Sequence, residues 1–297
     1  MPQFETLRHL DTELDAVPGT VSVWCGPLEA GVTHARHADV THYAASTMKV
    51  AVLAALHRSA EAGLLDLDDQ VAITNEFSSA EPAGSLFSCR QRYDNDDAVW
   101  DRLGERVSLR WLAQRMIVRS SNLATNLVLS RVGYASVAEV WRLVGARHSA
   151  VRRGIEDSVA AEAGITNLVT AADLAALLGA IARGASGVGS VASRASCEAM
   201  IATLLAQEGD EDLAAGLPSG TKVAHKNGWI QGVRHGAGVV YPTDAPPFVL
   251  AVCLSTPLAI NEQNDKACQL VARIAAAAWA DREQNLHDHE PGDARTH

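Results

Sequence analysis

The chain reads as an α+β protein, an antiparallel sheet of about five strands flanked by N- and C-terminal helices, with an all-helical lobe inserted between the strands. Three observations predict this. Strand-like alternation occurs near the start, at Val21-Ser22-Val23-Trp24-Cys25, and returns only from Val223 onward. The long middle of the chain carries helical periodicity instead. A last helical run, 264–280, follows the final strand. Strands drawn from both ends of a chain must assemble around whatever lies between them. The expected layout is therefore a sheet lobe from residues 1–45 plus 216–285, a helical lobe from 46–215, a cleft where they meet, and a disordered polar tail over 286–297.

The elements follow in order. A first helix is predicted over 4–16, then the strand at 21–25 with a hairpin partner at 32–36. From Ser46 the pattern changes. Lys49-Val50-Ala51-Val52-Leu53-Ala54-Ala55-Leu56 is apolar on nearly every side and stops at Gly63, which predicts a helix buried in the middle of the protein. Helical periodicity recurs at 109–118, 123–131, 137–144, 170–183 and 195–206. The glycine- and serine-rich segment 183–190 is the best flexible loop. Strands are expected at 223–229, 238–241 and 248–254, with Pro242-Thr243-Asp244-Ala245-Pro246-Pro247 as the clearest turn. No internal repeat is present.

Composition bounds the partners. With 297 residues, 47% of them hydrophobic, the chain can bury a substantial core. A formal net charge of −10 offers no footprint for nucleic acid or anionic lipid, so a small-molecule substrate is expected. The first ten residues lack the charged start and apolar run of a secretion signal, and no stretch is apolar enough to span a bilayer. Five cysteines without metal-type spacing fit free thiols, and a cytoplasmic location is expected. No metal or cofactor is expected; the tail histidines His287, His289 and His297 read as a solvated tail. Lysine occurs at only four positions, Lys49, Lys222, Lys226 and Lys266, among 25 basic residues. An amine can be tuned to give up its proton and a guanidinium cannot, so a lysine in this arginine-rich chain invites a functional question.

Two of those lysines fall in motifs. Ser46-Thr47-Met48-Lys49 opens the buried helix, and the three-residue separation sets hydroxyl and amine on one helical face. A serine alcohol needs a base, and burial favours the neutral amine that could act as one. Alone, an N-cap serine followed by an exposed lysine would read the same way. Further on, Ser120-Ser121-Asn122 interrupts two apolar helical runs: Ser120 could shuttle a proton, while Asn122 could donate to a substrate carbonyl and accept from a lysine. His225-Lys226-Asn227-Gly228-Trp229 reads as an edge strand in which Lys226 supplies a positive charge and Gly228 leaves the backbone bare for a substrate's approach.

Taken together, Ser-x-x-Lys, Ser-x-Asn and Lys-x-Gly in this order resemble the motifs of class A β-lactamases and penicillin-binding proteins, a likeness that runs from about residue 20 to 280. The stretch from Lys226 to His235 is similar to a branch described simply as serine hydrolases of mixed substrates. The resemblance implies a β-lactamase/transpeptidase-like fold and an acyl-enzyme on Ser46, with Lys49 as base or relay and Ser120 and Asn122 flanking the substrate. It further implies that Lys226 polarises the site, that the backbone N–H groups of Ser46 and Trp229 form an oxyanion hole, and that Asn126 buttresses the following loop. In that loop Glu156 is the candidate deacylation base, with Asp157 and Glu162 as competitors. Arg234 is a candidate clamp for a substrate carboxylate, or else a surface arginine at a strand end.

Four features depart from the family's pattern. The tryptophan and proline usual around the loop glutamate are missing. Asn227 stands where a hydroxyl residue helps hold the β-lactam carboxylate, and Ser121 replaces an aspartate. The segment 88–106, with Tyr93-Asp94-Asn95-Asp96-Asp97, is enlarged and reads either as a lid or as a solvated acidic loop. The leading expectation is a hydrolase that cleaves a cyclic amide, with an ester as a further option. Alternatives on the same scaffold are an esterase, peptidase, amidase, acyltransferase or catalytically silent binding protein. A Ser-His-Asp site using His225 or His235 is a different class, and the chain has no Gly-x-Ser-x-Gly elbow to support it.

Overall fold

The computed structural model describes residues 5–189 and 191–282. Its main sheet has five antiparallel strands, β1 (Thr20–Pro27), β2 (His34–Arg36), β3 (Lys222–Ile230), β4 (Val233–Tyr241) and β5 (Phe248–Ser255). Their order is β2-β1-β5-β4-β3, so the first strand pairs with the last, Val23 opposite Val252, and β3 lies at an edge. An edge strand has a free row of backbone groups, which is where a substrate can approach it. β4 starts five residues before the predicted 238–241, because Arg234 and His235 are polar yet fully buried in it. A strand covered on both faces need not alternate, and that is why the pattern hid its first half.

The longer helices are α1 (Glu5–Asp15), α2 (Lys49–Glu61), α3 (Leu109–Val118), α4 (Asn122–Leu143), α5 (Ala171–Ala185), α6 (Arg194–Leu205) and α7 (Lys266–Ala280). α1 and α7 cover one face of the sheet, where Leu7 and Leu14 pack with Val23, Val252 and Ile274. Asp281, just past α7, accepts from the backbone N–H groups of Thr6 and Leu7 at 3.1 and 3.0 Å, so one buried carboxylate caps α1 and ties the two ends together. The other sheet face, through Ala237, Val239, Val249 and Ala251, shares a single apolar cluster with Leu53 of α2, Leu127 of α4 and Leu177 of α5. The proposed division at 45/46 and 215/216 thus describes chain topology, since both lobes draw on that common core.

Several boundaries follow from local chemistry. Gly63 ends α2 at φ 68°, a conformation that favours glycine. The two helical runs read at 123–131 and 137–144 belong to α4, broken at Gly133 with φ 74° and ψ 156°. α5 continues to Ala185, so residues 183–185 of the expected loop are helical. Ser190, the first four residues and the tail with its three histidines lie outside the described residues. No helix among the described residues is long and apolar enough to cross a membrane, and no metal-binding cluster occurs among them. All five cysteines are free and buried.

Candidate active site

Ser46 does not open an α-helix. Residues Ala45–Met48 form a 3-10 turn, and α2 begins at Lys49. Lys49 follows that turn directly, three residues after Ser46. The preceding Ala45 has φ 44°, a left-handed conformation that costs roughly 1–2 kcal/mol for a residue with a Cβ. Its neighbours hold it there. Ala44 N–H donates to Asn167 O at 3.0 Å, Thr47 Oγ1 donates to Ala44 O at 2.6 Å, and His235 Nε2 donates to Tyr43 O at 2.8 Å. The turn is therefore pinned from a neighbouring loop, from within and from β4.

β3 backs directly onto this turn. A Cβ at Gly228 would lie 2.7 Å from the Ser46 nitrogen and 3.0 Å from the Thr47 nitrogen. What the bare backbone admits is thus the Ser46 turn, and the expectation that it admits substrate is corrected. Gly228→Ala should push β3 off the turn and lower activity by about 10²-fold, in keeping with the cost of a 1 Å misplacement. Steady-state rates, with melting temperature as the control for folding, check this.

Lys49 is fully buried behind the cleft wall. Its Nζ donates to Ser120 O at 2.6 Å, Asn122 Oδ1 at 3.0 Å and Ser120 Oγ at 3.2 Å. Ser120 presents that carbonyl from a left-handed backbone, φ 60°. Burial pushes the Lys49 amine down to about 7, against the opposing pull of Asp94, Cys89 and Glu156. Asn122 accepts from Lys49 and donates one N–H to Tyr93 O at 2.9 Å, and the same side chain interacts with the Glu156 carboxylate. Ser46, Ser120, Asn122, Glu156 and Trp229 together line a cavity of about 550 Å³, with Tyr43, Arg92, Tyr93, Asn95 and Arg153 among its other walls.

In the loop beneath, Asn126 brackets the Ile155 peptide, accepting from Ile155 N at 2.8 Å and donating to Ile155 O at 2.9 Å. Glu156 follows at φ 63° and turns its carboxylate into the cavity. Its Oε2 accepts from Arg90 N at 3.1 Å, while Oε1 is buried without a protein partner. Burial raises its pKa, and the charge of Asp94 adds to the effect. The competitors fall away by geometry. Asp157 spends its carboxylate on Ser79 Oγ, Ala80 N and Ala160 N at 2.7–3.1 Å, and Glu162 is exposed outside the cavity walls.

The far end differs from expectation. Lys226 is fully buried, and its Nζ donates to Asn227 O and Asn227 Oδ1 at 3.1 and 3.2 Å. Burial and the charge of Lys49 hold the Lys226 amine well below the usual lysine range. The Asn227 amide, expected to meet substrate in the main cavity, instead donates to Asp212 Oδ2 at 3.4 Å and faces an adjoining recess of about 400 Å³. Arg234 is not a clamp for a substrate carboxylate. It is fully buried and forks onto Asp212 at 2.6 and 3.3 Å, with its remaining bonds to Glu262 O at 2.8 Å and Gln263 O at 2.9 Å. Its guanidinium also lies 4.7 Å over the Trp229 ring, so it positions that wall residue.

The segment 88–106 is a wall of the cleft. Its Asp94 carboxylate accepts from Leu123 N at 2.8 Å and Ser121 Oγ at 3.2 Å at the start of α4, and the buried Asp96 pairs with Arg115. These acids are anchored, which corrects the reading as a solvated acidic loop. No histidine among the described residues lines the cavity. His235 spends both ring nitrogens on backbone groups, and burial brings both His225 and His235 down to about 4. This geometry removes the Ser-His-Asp alternative. Sequence reasoning missed Tyr43, Arg153, Asp94 and Asp212. An arginine in an arginine-rich chain carries no signal, and the aspartates gain meaning only from what faces them.

The sequence profile described as the beta-lactamase enzyme family matches residues 5–281. Comparison with curated protein sequences finds no match. Among solved structures, the chain is similar to a beta-lactamase from Xanthomonas campestris pv. campestris at 20% identity and TM-score 0.76, covering 96% of this chain and 100% of that one. A beta-lactamase from Sphaerobacter thermophilus gives 22% identity and TM-score 0.75, covering 96% and 98%. A mutant of PBP-A, solved as an acyl-enzyme complex with penicillin G, gives 21% identity and TM-score 0.73, covering 94% and 98%.

Proposed function

The chain belongs to the beta-lactamase enzyme family, and on that premise we propose that it is a serine hydrolase opening a cyclic amide, or cleaving a related ester, through an acyl-Ser46 intermediate. The observation that carries this reading is the buried Lys49, one 3-10 turn from Ser46 and brought down to about 7. A neutral amine there takes the Ser46 proton as Oγ forms its bond to the substrate carbonyl carbon. The oxyanion is received by the N–H groups of Ser46 and Trp229, a reading supported by the close seat of Gly228, the residue before Trp229, against the Ser46 nitrogen. The C–N or C–O bond then breaks, and Ser120, bonded to Lys49, passes the proton to the departing nitrogen or oxygen. Asn122 holds the acyl side, while Lys226, buried behind the far wall, orients Asn227.

Water must then break the ester, and Glu156 Oε1 is the atom we assign to activate it. If so, Glu156→Gln lengthens the lifetime of the acyl-enzyme by about 10²–10⁴-fold while leaving its formation intact. An unchanged lifetime would remove Glu156 from the role. A second reading, an acyltransferase that passes its acyl group to an amine, draws on one observation: Glu156 has its other oxygen tied to Arg90 N and its pKa raised. Five free, buried thiols suit a reducing compartment, and the cytoplasm is the location we propose.

The experiment is a time course of intact-protein mass after adding a penicillin, with peptide mapping of any adduct. A penicillin-sized adduct on the Ser46 peptide that decays supports hydrolysis, and one that persists until an amine is added supports transfer. An adduct elsewhere, or neither adduct nor consumption across lactam, ester and amide substrates, overturns the acyl-Ser46 mechanism.

A further inference from the structure

Charge is unevenly answered around the cleft. At the recess end, each cation already has its counterpart: Arg234 is forked by Asp212, Arg119 pairs with Glu208, and Lys226 lies in the fields of Asp212 and Glu211. A Glu211 oxygen in this recess is buried without a partner, so an entering anion meets unanswered negative charge.

At the opposite end, where Glu156 Oε1 also stands without a protein partner, one buried cation has no ion pair among the described residues. Arg153 is 8% exposed and lines the main cavity beside Tyr43. Nη2 donates to Tyr43 OH at 3.2 Å, and the guanidinium lies 5.4 Å over the Tyr43 ring. Nη1 makes two long bonds, to Gly154 O at 3.3 Å and Asp157 O at 3.5 Å, and Nε is buried without a partner. No carboxylate forms an ion pair with it among the described residues. Glu156, the nearest acid in sequence, sits on Arg90 N, and the next, Asp157, has spent its oxygens elsewhere. Buried charges are almost always paired. A buried arginine with neutral partners and an open cavity in front of it therefore awaits an anion.

We propose that the substrate carries a carboxylate on its acyl portion, where Arg153 receives it, and departs through the recess with a neutral or cationic leaving group. This rests on the serine-hydrolase reading for its direction: Ser120, which delivers the leaving group's proton, borders both the main cavity and the recess, whereas Arg153 and Glu156 border only the first.

The test uses three phenyl esters: monophenyl glutarate, phenyl pentanoate, and 3-carboxyphenyl pentanoate, which moves the carboxylate to the leaving side. Affinity is measured calorimetrically on Ser46→Ala, which needs no turnover, and kcat/KM on the wild type. Monophenyl glutarate should bind Ser46→Ala at least about tenfold tighter than phenyl pentanoate, the worth of one charge-assisted hydrogen-bonded contact. 3-Carboxyphenyl pentanoate should bind no better than phenyl pentanoate. Adding Arg153→Gln should bring the glutarate-to-pentanoate ratio to about one, and Arg153→Lys, a point charge without the fork, should retain part of it. Equal binding of the first two esters, no binding of any, or preference for the leaving-side carboxylate overturns the proposal. So does a ratio unchanged in Arg153→Gln, which would leave Arg153 a loop staple. If Arg153→Gln does not fold, the ratio in Arg153→Lys decides. Selective binding without turnover in the wild type would keep the anion site and retire the hydrolase reading instead.

Discussion

Ser46→Ala is expected to abolish the penicillin adduct and to lower turnover of any accepted substrate by on the order of 10⁴-fold or more, because no covalent intermediate can then form. The variant should fold normally. Ser46 is only half-buried, and its hydroxyl supports no hydrogen bond of the fold among the described residues, so the change in stability should stay within about 0.5 kcal/mol. The strained Ala45 is held by contacts from Ala44, Thr47 and Tyr43, none of which uses the Ser46 side chain. Full turnover in a folded Ser46→Ala protein would show that the chemistry lies elsewhere.

Lys49→Met should slow acylation by about 10²–10⁴-fold, the usual worth of a positioned base. Lys49→Arg separates base from charge. It retains a cation near Ser120 and Asn122, but a guanidinium does not release its proton, so rescue is not expected. The pH profile carries the same information. The groups facing Lys49 are Asp94, Cys89 and Glu156, and Lys226 repels it from β3. With the amine brought down to about 7, acylation in the wild type should rise with pH through that region and level off once the amine is neutral. The unfolded chain keeps its ordinary lysine value of 10.5, so between about 7 and 10.5 it binds a proton that the folded protein does not. This group's contribution therefore makes stability rise with pH across that window. A flat acylation profile from pH 5 to 9, or undiminished activity in Lys49→Arg, would remove Lys49 as the base.

Much of the architecture was legible because it is written in local patterns. The N-terminal alternation at Val21–Cys25, the all-round apolar run after Lys49 and the closing helix each report their own surroundings, and the return of strands after the helical middle implied the sheet's long-range closure. Three motifs in order named the residues around the cleft. The first half of β4 was not legible, since Arg234 and His235 look like surface residues until Asp212 and the Tyr43 carbonyl are placed against them.

By itself the sequence determined the fold class, the family likeness and the chemical types available: an alcohol, two rare lysines, an amide and an acid in an acidic loop. Only the tertiary structure decided what each faces. It brought Ser120 and Asn122 onto Lys49, seated Gly228 on the Ser46 turn, turned Asn227 and Arg234 toward Asp212, and left Arg153 without an ion pair among the described residues. The reason is physical. Helix and strand periodicity arise from neighbours a few residues apart, whereas the pKa of a buried amine or the commitment of a guanidinium depends on groups brought from distant segments, whose positions no local pattern encodes.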